Sequence, residues 1–251
     1  MSGHSKWSTI KRKKGAEDAK RGKIFTRLAR EITMAAREGG GDETANSSLR
    51  LAVDKARAAN MPKDNIKRAI MRGTGEGGEG AEALEAVTYE GYGPGGAALL
   101  VDVLTDNKNR TLAEVKHAFT RSGGNLASAG SVAWQFEQKG FIALDHEGTD
   151  YDEVFLVAAE AGAEDIEEDE DSISIYTPRE DVAKVAGALR EAGYTLQEFE
   201  LTWVAKNEVA LTTDEAVKVM NLIEKLEDLD DVENVSSNLD ITDEVLASLT
   251  A

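Results

Sequence analysis

Apolar positions follow a helical period through the first seventy or so residues, then alternate between strand and helix patterns. At about 100° per residue, Ile24, Leu28, Ile32 and Ala35 stack on one side of a helix, with Phe25, Ala29 and Ala36 widening the stripe. Lys20, Lys23, Arg27, Arg30 and Arg37 cluster roughly opposite. Gly39-Gly40-Gly41 breaks the pattern, and Asn46, Ser47 or Ser48 caps the next helix. That helix buries Leu49, Val53 and Ala56 and carries Arg50, Lys55 and Arg57 as charged positions. Asn60-Met61-Pro62 ends it and starts a third, with Pro62 suited to a first turn. Ile66, Ala69 and Ile70 face inward there, Lys63, Lys67, Arg68 and Arg72 face outward, and Gly73 serves as the stop.

GTGEGGEG, from Gly73 to Gly80, reads as a flexible linker. It spells G-x-G-x-x-G, but it follows a helix rather than a strand, and Glu76 and Glu79 would repel phosphate. The spelling recurs at Gly91, Gly93 and Gly96 between two strands, where a hairpin loop is the better reading. Strands are expected at Val87–Tyr92, Ala97–Leu104, Val132–Phe136, Phe141–Leu144, around Ile166, Ser172–Tyr176, Leu196–Val204, Glu208–Leu211 and Val232–Ser236. Helices are expected at Arg110–Arg121, Tyr151–Ala161, Pro178–Ala192 and Asp214–Leu226.

From Phe141 to Val204 the order is β-α-β-β-α-β, the split arrangement of ferredoxin-like domains. The elements before and after it lack a closing partner, so this unit is expected to be inserted into a second α+β domain. The fold class is therefore α+β: a helical N-terminal domain followed by two α+β (ferredoxin-like) domains, one inserted in the other. The boundaries read as 1–78 for the basic helical domain, 79–138 plus 206–240 for the host, 139–205 for the insert, and 241–251 for a C-terminal tail.

Charge changes the picture. The chain carries 29 Lys and Arg against 47 Asp and Glu, yet residues 1–75 hold 18 basic and 8 acidic side chains. A segment of +10 is thus joined to one of −28. Such asymmetry points to a polyanionic partner for the basic end, since neutralising phosphates releases counterions. Trp7, amid Lys6, Lys11, Arg12, Lys13 and Lys14, could stack on an exposed base or anchor the tail onto the helices. Lys108, Arg110, Lys116 and Arg121 form a basic island in the acidic half, explained by a capped helix or by a second contact surface.

The chain has no cysteine, which excludes disulfides, thiolate metal sites and Cys nucleophiles. His4, His117 and His146 lack metal-ligand spacing, and no GxSxG elbow occurs. The acidic run Glu164, Asp165, Glu167, Glu168, Asp169, Glu170 and Asp171 does not match a calcium loop and reads as a solvated rim. No catalytic residue, cofactor or metal is proposed. With no secretory signal and no membrane-length apolar run, a soluble cytoplasmic protein is expected.

GHSKWSTIKRKKGAEDAKRGKIFTRLAREI, LRLAVDKARAANMPKDNIKRAI, YEGYGPGGAALLVDVLTDNKNRT and GGNLASAGSVAWQF closely resemble the YebC family. The match is highly specific to about Phe141, with two departures: Glu43 and Ala127 stand where Pro and Gly are common. The resemblance implies a helical domain plus two α+β domains and a non-enzymatic regulator of gene expression. Bacterial members are generally described as DNA-binding transcriptional regulators. Others are associated with ribosomes and with translation through proline runs, and mitochondrial members activate translation of a cytochrome oxidase subunit. The family's basic positions match Lys6, Lys11, Lys14, Lys20, Arg21, Lys23, Arg27, Arg30, Lys63 and Arg68, to which Arg12, Lys13 and Lys67 are added from the charge pattern. The expected partner is DNA, or ribosomal RNA with ribosomal proteins meeting the acidic domains, and no membrane. The oligomeric state is not legible.

Overall fold

Three helices come first: α1 (Asp18–Gly39), α2 (Ser47–Ala58) and α3 (Lys63–Gly73). The computed structural model describes residues 18–75, 84–169 and 171–250. The helical core joins Leu28, Ile32, Ala35 and Ala36 to Leu49, Val53, Ala56, Ile66 and Ala69. The expected stripe is kept except at Ile24, which is 42% exposed. Thr33 is buried beside the stripe and shares its hydroxyl between the Ala29 and Ala69 carbonyls at 2.7 and 3.2 Å. Asn46 is the cap: its side chain accepts from the Leu49 amide and donates to the Ala35 and Gly40 carbonyls, tying α2 to the end of α1. Gly73 ends α3, and its role is close approach, since a Cβ there would sit 2.4 Å from the Thr33 carbonyl oxygen.

A four-stranded sheet joins these helices in one compact unit, comprising residues 18–75 and 138–202. Its elements are β4 (Phe136–Asp145), α5 (Tyr151–Ala161), β5 (Asp165–Glu168), β6 (Ser172–Pro178), α6 (Val182–Glu191) and β7 (Leu196–Ala205). The strand order is β5-β6-β4-β7, the order a split βαβ unit requires. Ile142, Leu144, Val154, Ala158, Ile173, Ile175, Val185 and Leu189 fill its core, and Leu51 of α2 packs against it.

Two expectations change here. The strand read at Val132–Phe136 is a 3-10 turn at Ala133–Gln135, and only its Phe136 joins the strand read at Phe141–Leu144, which begins earlier as β4. Polar Glu137, Gln138 and Lys139 hide the continuity, yet Lys139 and Gly140 pair with Pro178 and Thr177 and carry the strand through. Pro178, read as a helix start, closes β6, so α6 begins at Val182.

The other compact unit holds residues 84–137 and 203–250. Its sheet runs β3-β1-β2-β8, with β1 (Glu85–Tyr92), β2 (Ala98–Thr105), β3 (Asn125–Leu126) and β8 (Val232–Ser237). The Gly93–Gly96 segment is a hairpin loop as expected, with Gly95 and Gly96 at positive φ. Leu99, Val101 and Val103 pack with α4 (Lys108–Arg121), α7 (Thr213–Glu227) and α8 (Asp243–Thr250), through Val115, Phe119, Met220, Ile223 and Val245. Alternate β2 residues Ala98 and Leu100 pack instead with Val132, Phe136, Tyr92 and Trp203. Residues set aside as a tail thus hold a helix, and Ile241 and Val245 are core positions. The strand expected at Glu208–Leu211 reduces to a single bridge between Val209 and Leu239.

Gly91 sits under the Phe119 ring, where an added Cβ would lie 2.5 Å from a ring carbon. Gly91→Ala should destabilise the fold by about 1–3 kcal/mol through overpacking. Thermal unfolding with a lowered midpoint supports that packing, and an unchanged midpoint contradicts it.

Candidate nucleic-acid interface

The helical bundle divides its cations into two kinds. On α2, Leu51, Asp54 and Lys55 share one helix face, and that face packs within the unit. Lys55 reaches Glu31 at 3.5 Å and Glu200 of β7 at 3.8 Å, and Asp54 is paired with Arg57 at 3.1 Å and Arg190 at 3.5 Å. Arg57 also meets Glu43 at 3.1 Å. These charges are committed internally.

On α3, Lys63, Lys67, Arg68 and Arg72 are all exposed. Arg68 turns back on its own helix, donating to the Asp64 carbonyl and the Asn65 side chain. Lys63, Lys67 and Arg72 have no carboxylate partner among the described residues. Arg72, outward-facing in the sequence pattern but not among the expected site residues, shares a side of the helix with Arg68 at i+4, while Lys63 and Lys67 share another.

Along α1, Lys23 and Arg37 are exposed, whereas Arg27 and Arg30 are half-buried rather than standing out on a ridge. Lys20 and Arg21 lie on the first turn of α1. Lys6, Lys11, Arg12, Lys13, Lys14, Trp7 and His4 fall outside the described residues, as do 76–83 and Glu170.

The basic island around α4 resolves into two parts. Arg110 donates to Asp231 at 2.7 Å and Asp106 at 2.8 Å, and Lys108 pairs with Glu85. Asp231 is itself buried and accepts the Thr105 and Thr111 hydroxyls, closing the start of α4 onto the approach to β8. Hydrogen bonding to Asp231 raises the Arg110 guanidinium pKa further above its usual value. Arg121 and His117, with Lys225 of α7, instead line a cavity of about 520 Å³ alongside Glu114, Ala118 and Leu229. Elsewhere, His146 meets Glu168 at 2.8 Å, Lys139 meets Glu164 at 3.1 Å, and among the described residues no group of three His or acidic side chains is placed to hold a metal ion. No helix among them is long and apolar enough to cross a membrane.

Sequence reasoning missed Glu90. Its buried carboxylate accepts the Gly130 and Val132 amides at 2.6 Å and the Ala133 amide at 2.9 Å, clamping the loop before β4. Burial works to raise this carboxyl, but the backbone donors of Val132, Gly130, Ala133 and Ser131 prevail and hold it below the ordinary glutamate value. A polar residue inside an apolar strand at Tyr89–Tyr92 was the available signal.

Two family models cover most of the chain: the "TACO1/YebC protein N-terminal domain" over residues 5–76 and the "TACO1/YebC second and third domain" over residues 84–239. The chain belongs to the TACO1/YebC family. Relatives named "Probable transcriptional regulatory protein" include one from Syntrophus aciditrophicus, 53% identical over 251 residues and covering all of both chains. Another, from Acidithiobacillus ferrooxidans, is 55% identical, covering 100% of this chain and 99% of the other. The crystal structure of a conserved hypothetical protein from Aquifex aeolicus matches with a TM-score of 0.85 at 43% identity, covering 91% of this chain and 94% of that one.

Within this TACO1/YebC chain, the two kinds of cation should behave differently. Lys55→Glu places a third carboxylate beside Glu31 and Glu200 and should lower stability by about 1–2 kcal/mol. The triple variant Lys63→Glu, Lys67→Glu, Arg72→Glu should leave the unfolding midpoint unchanged. Equal effects in thermal melts would contradict the division.

The Glu90 clamp has a pH signature. A lowered folded-state value means its stabilisation is present above the ordinary value of 4.5 and is lost as pH falls through the lower folded value. Glu90→Gln should cost about 1–3 kcal/mol at neutral pH by facing an amide N–H donor with backbone donors. The gap between variant and parent should close on acidification, which melts recorded across pH 3 to 7 would show.

Proposed function

We propose that this protein is a non-enzymatic, nucleic-acid-binding regulator of gene expression whose basic helices engage phosphates. The carrying observation is that Lys63, Lys67 and Arg72 are all exposed on α3, with no carboxylate partner among the described residues. Exposed ammonium and guanidinium groups left without counter-charges gain most from phosphate, because binding releases the polymer's condensed counterions. The proposed interface comprises these three with Arg68, the α1 positions Lys20, Arg21, Lys23, Arg27 and Arg30, and the N-terminal Lys6, Lys11, Arg12, Lys13 and Lys14. The relatives' shared name supports transcriptional control, and duplex DNA is the target that reading proposes.

A second reading is a ribosome-associated factor that contacts ribosomal RNA. The −28 carried by residues 76–251 favours it. Acidic surfaces are repelled by a long duplex, yet they complement basic ribosomal proteins. On either reading the division into a basic helical domain, a host α+β domain and an insert assigns phosphate contact to the first and leaves the acidic domains for other partners.

The test combines competition and salt dependence. Labelled protein is mixed with purified ribosomes and increasing random duplex DNA at near-physiological salt, then sedimented. DNA that strips the protein from ribosomes supports the duplex reading, and retention on ribosomes supports the second. In either case the Lys63→Glu, Lys67→Glu, Arg72→Glu variant should bind far more weakly and with a log–log salt slope shallower by about 3. An unchanged slope would rule out the α3 cations as phosphate contacts. The same reversal at Arg27 and Arg30 is a poorer test, because both side chains are half-buried and the fold would suffer too.

A further inference from the structure

Trp134 is 68% exposed, the most exposed large apolar side chain among the described residues. It nevertheless belongs to a firmly held loop. Glu90 accepts three backbone amides from Gly130, Val132 and Ala133, and the Tyr92 hydroxyl donates to the Ser131 carbonyl at 3.1 Å. Immediately after it, the Gln135 carbonyl accepts the Lys206 amide at 2.8 Å, and the Gln135 side chain accepts from Asn238 at 3.1 Å. A buried carboxylate and several hydrogen bonds are thus invested in holding an indole in solvent.

The indole's own polarity identifies what it fits. Trp usually serves interfaces by presenting an apolar body and a free N–H to a partner. Here Nε1–H already donates to the Ser131 carbonyl at 3.0 Å, which fixes the ring and leaves only its π-faces for recognition. The Lys206 ammonium donates to the main-chain carbonyl of Trp134 at 3.1 Å, placing a positive charge beside this residue's backbone. A flat aromatic surface beside a cation, with no hydrogen-bonding edge, suits a base that brings its own π-face and a phosphate.

We propose that Trp134 is a stacking platform for an unpaired nucleobase, with Lys206 meeting the adjoining phosphate. The proposal rests on the nucleic-acid reading above and adds to it a contact outside the basic helices. It entails preference for strands with an unpaired base, in RNA or in melted DNA. Base identity is read weakly, since every base offers a π-face.

The test uses the full chain with a short single-stranded RNA carrying 2-aminopurine, the same sequence as single-stranded DNA, and a duplex. With the unaltered protein, 2-aminopurine fluorescence should quench on binding. Trp134→Ala should lose that quench and about tenfold in single-strand affinity. Its duplex affinity and unfolding midpoint should stay unchanged, since the side chain is mostly exposed. Trp134→Phe should restore part of both losses, and Glu90→Gln, by loosening the loop, should fall between the parent and Trp134→Ala. The RNA and DNA arms identify the source of the base by which strand shows the larger Trp134-dependent loss. Single-strand affinity and quench that survive Trp134→Ala overturn this inference alone, leaving the α3 contacts standing. No binding of any strand by the unaltered protein overturns both readings.

Discussion

Strand β2 must be buried on both faces, and the unit around it is arranged to satisfy that demand. Its run from Ala98 to Val101 is wholly buried, so a single covering layer would leave half of it in water. Helices α4 and α7 take one face, while Phe136, Val132 and Trp203 take the other. β8 supplies its outer edge, pairing Leu99 with Ser237 and Val101 with Val235. These pieces come from widely separated parts of the chain, which leaves this unit at the start of β4 and returns to it at the end of β7. Asp102 is the one polar interruption. Burial pushes its carboxyl up, opposed by hydrogen bonds from the Thr88 hydroxyl and the Trp203 indole, so even the exception ties β2 to its second layer.

The same economy governs charge. Where a cation lies against structure it is consumed by it: Lys55 by Glu31 and Glu200, Arg110 by Asp231 and Asp106, Lys139 by Glu164. Where α3 faces outward, Lys63, Lys67 and Arg72 are exposed and have no carboxylate partner among the described residues. Net charge along the sequence therefore overstates the surface available to a ligand. The distribution of ion pairs locates that surface better, because exposed pairs with good geometry neutralise the field that a polyanion would feel.

Much of this was legible in the residues. Helical periodicity marked α1 to α3, and Tyr151–Ala161 coincided with α5 because Asp150 and Gly162 punctuate its two ends with a cap and a left-handed stop. The β-α-β-β-α-β order emerged from alternation alone. What stayed hidden depended on distant partners. β4 runs through polar Glu137, Gln138 and Lys139 because β6 pairs with it, and Thr33 is buried because its hydroxyl reaches the Ala29 and Ala69 carbonyls. In the site, positions of cations could be read, but not which of them were spent. Glu90 was missed for the same reason: a clamp exists only once strand and loop are side by side.

The discontinuity also orders events in time. Every strand and helix of the unit that ends at Thr202 has been made before α7, β8 and α8 exist. β2, by contrast, is synthesised early and waits through more than a hundred residues for the edge strand that completes its sheet. Domains emerging from synthesis fold as units, and exposed strand edges are the hazard of the interval. The bracketing unit of this chain therefore closes last, with β1 and β3 on one side of β2 already paired and the far edge held open until the C-terminal segment arrives.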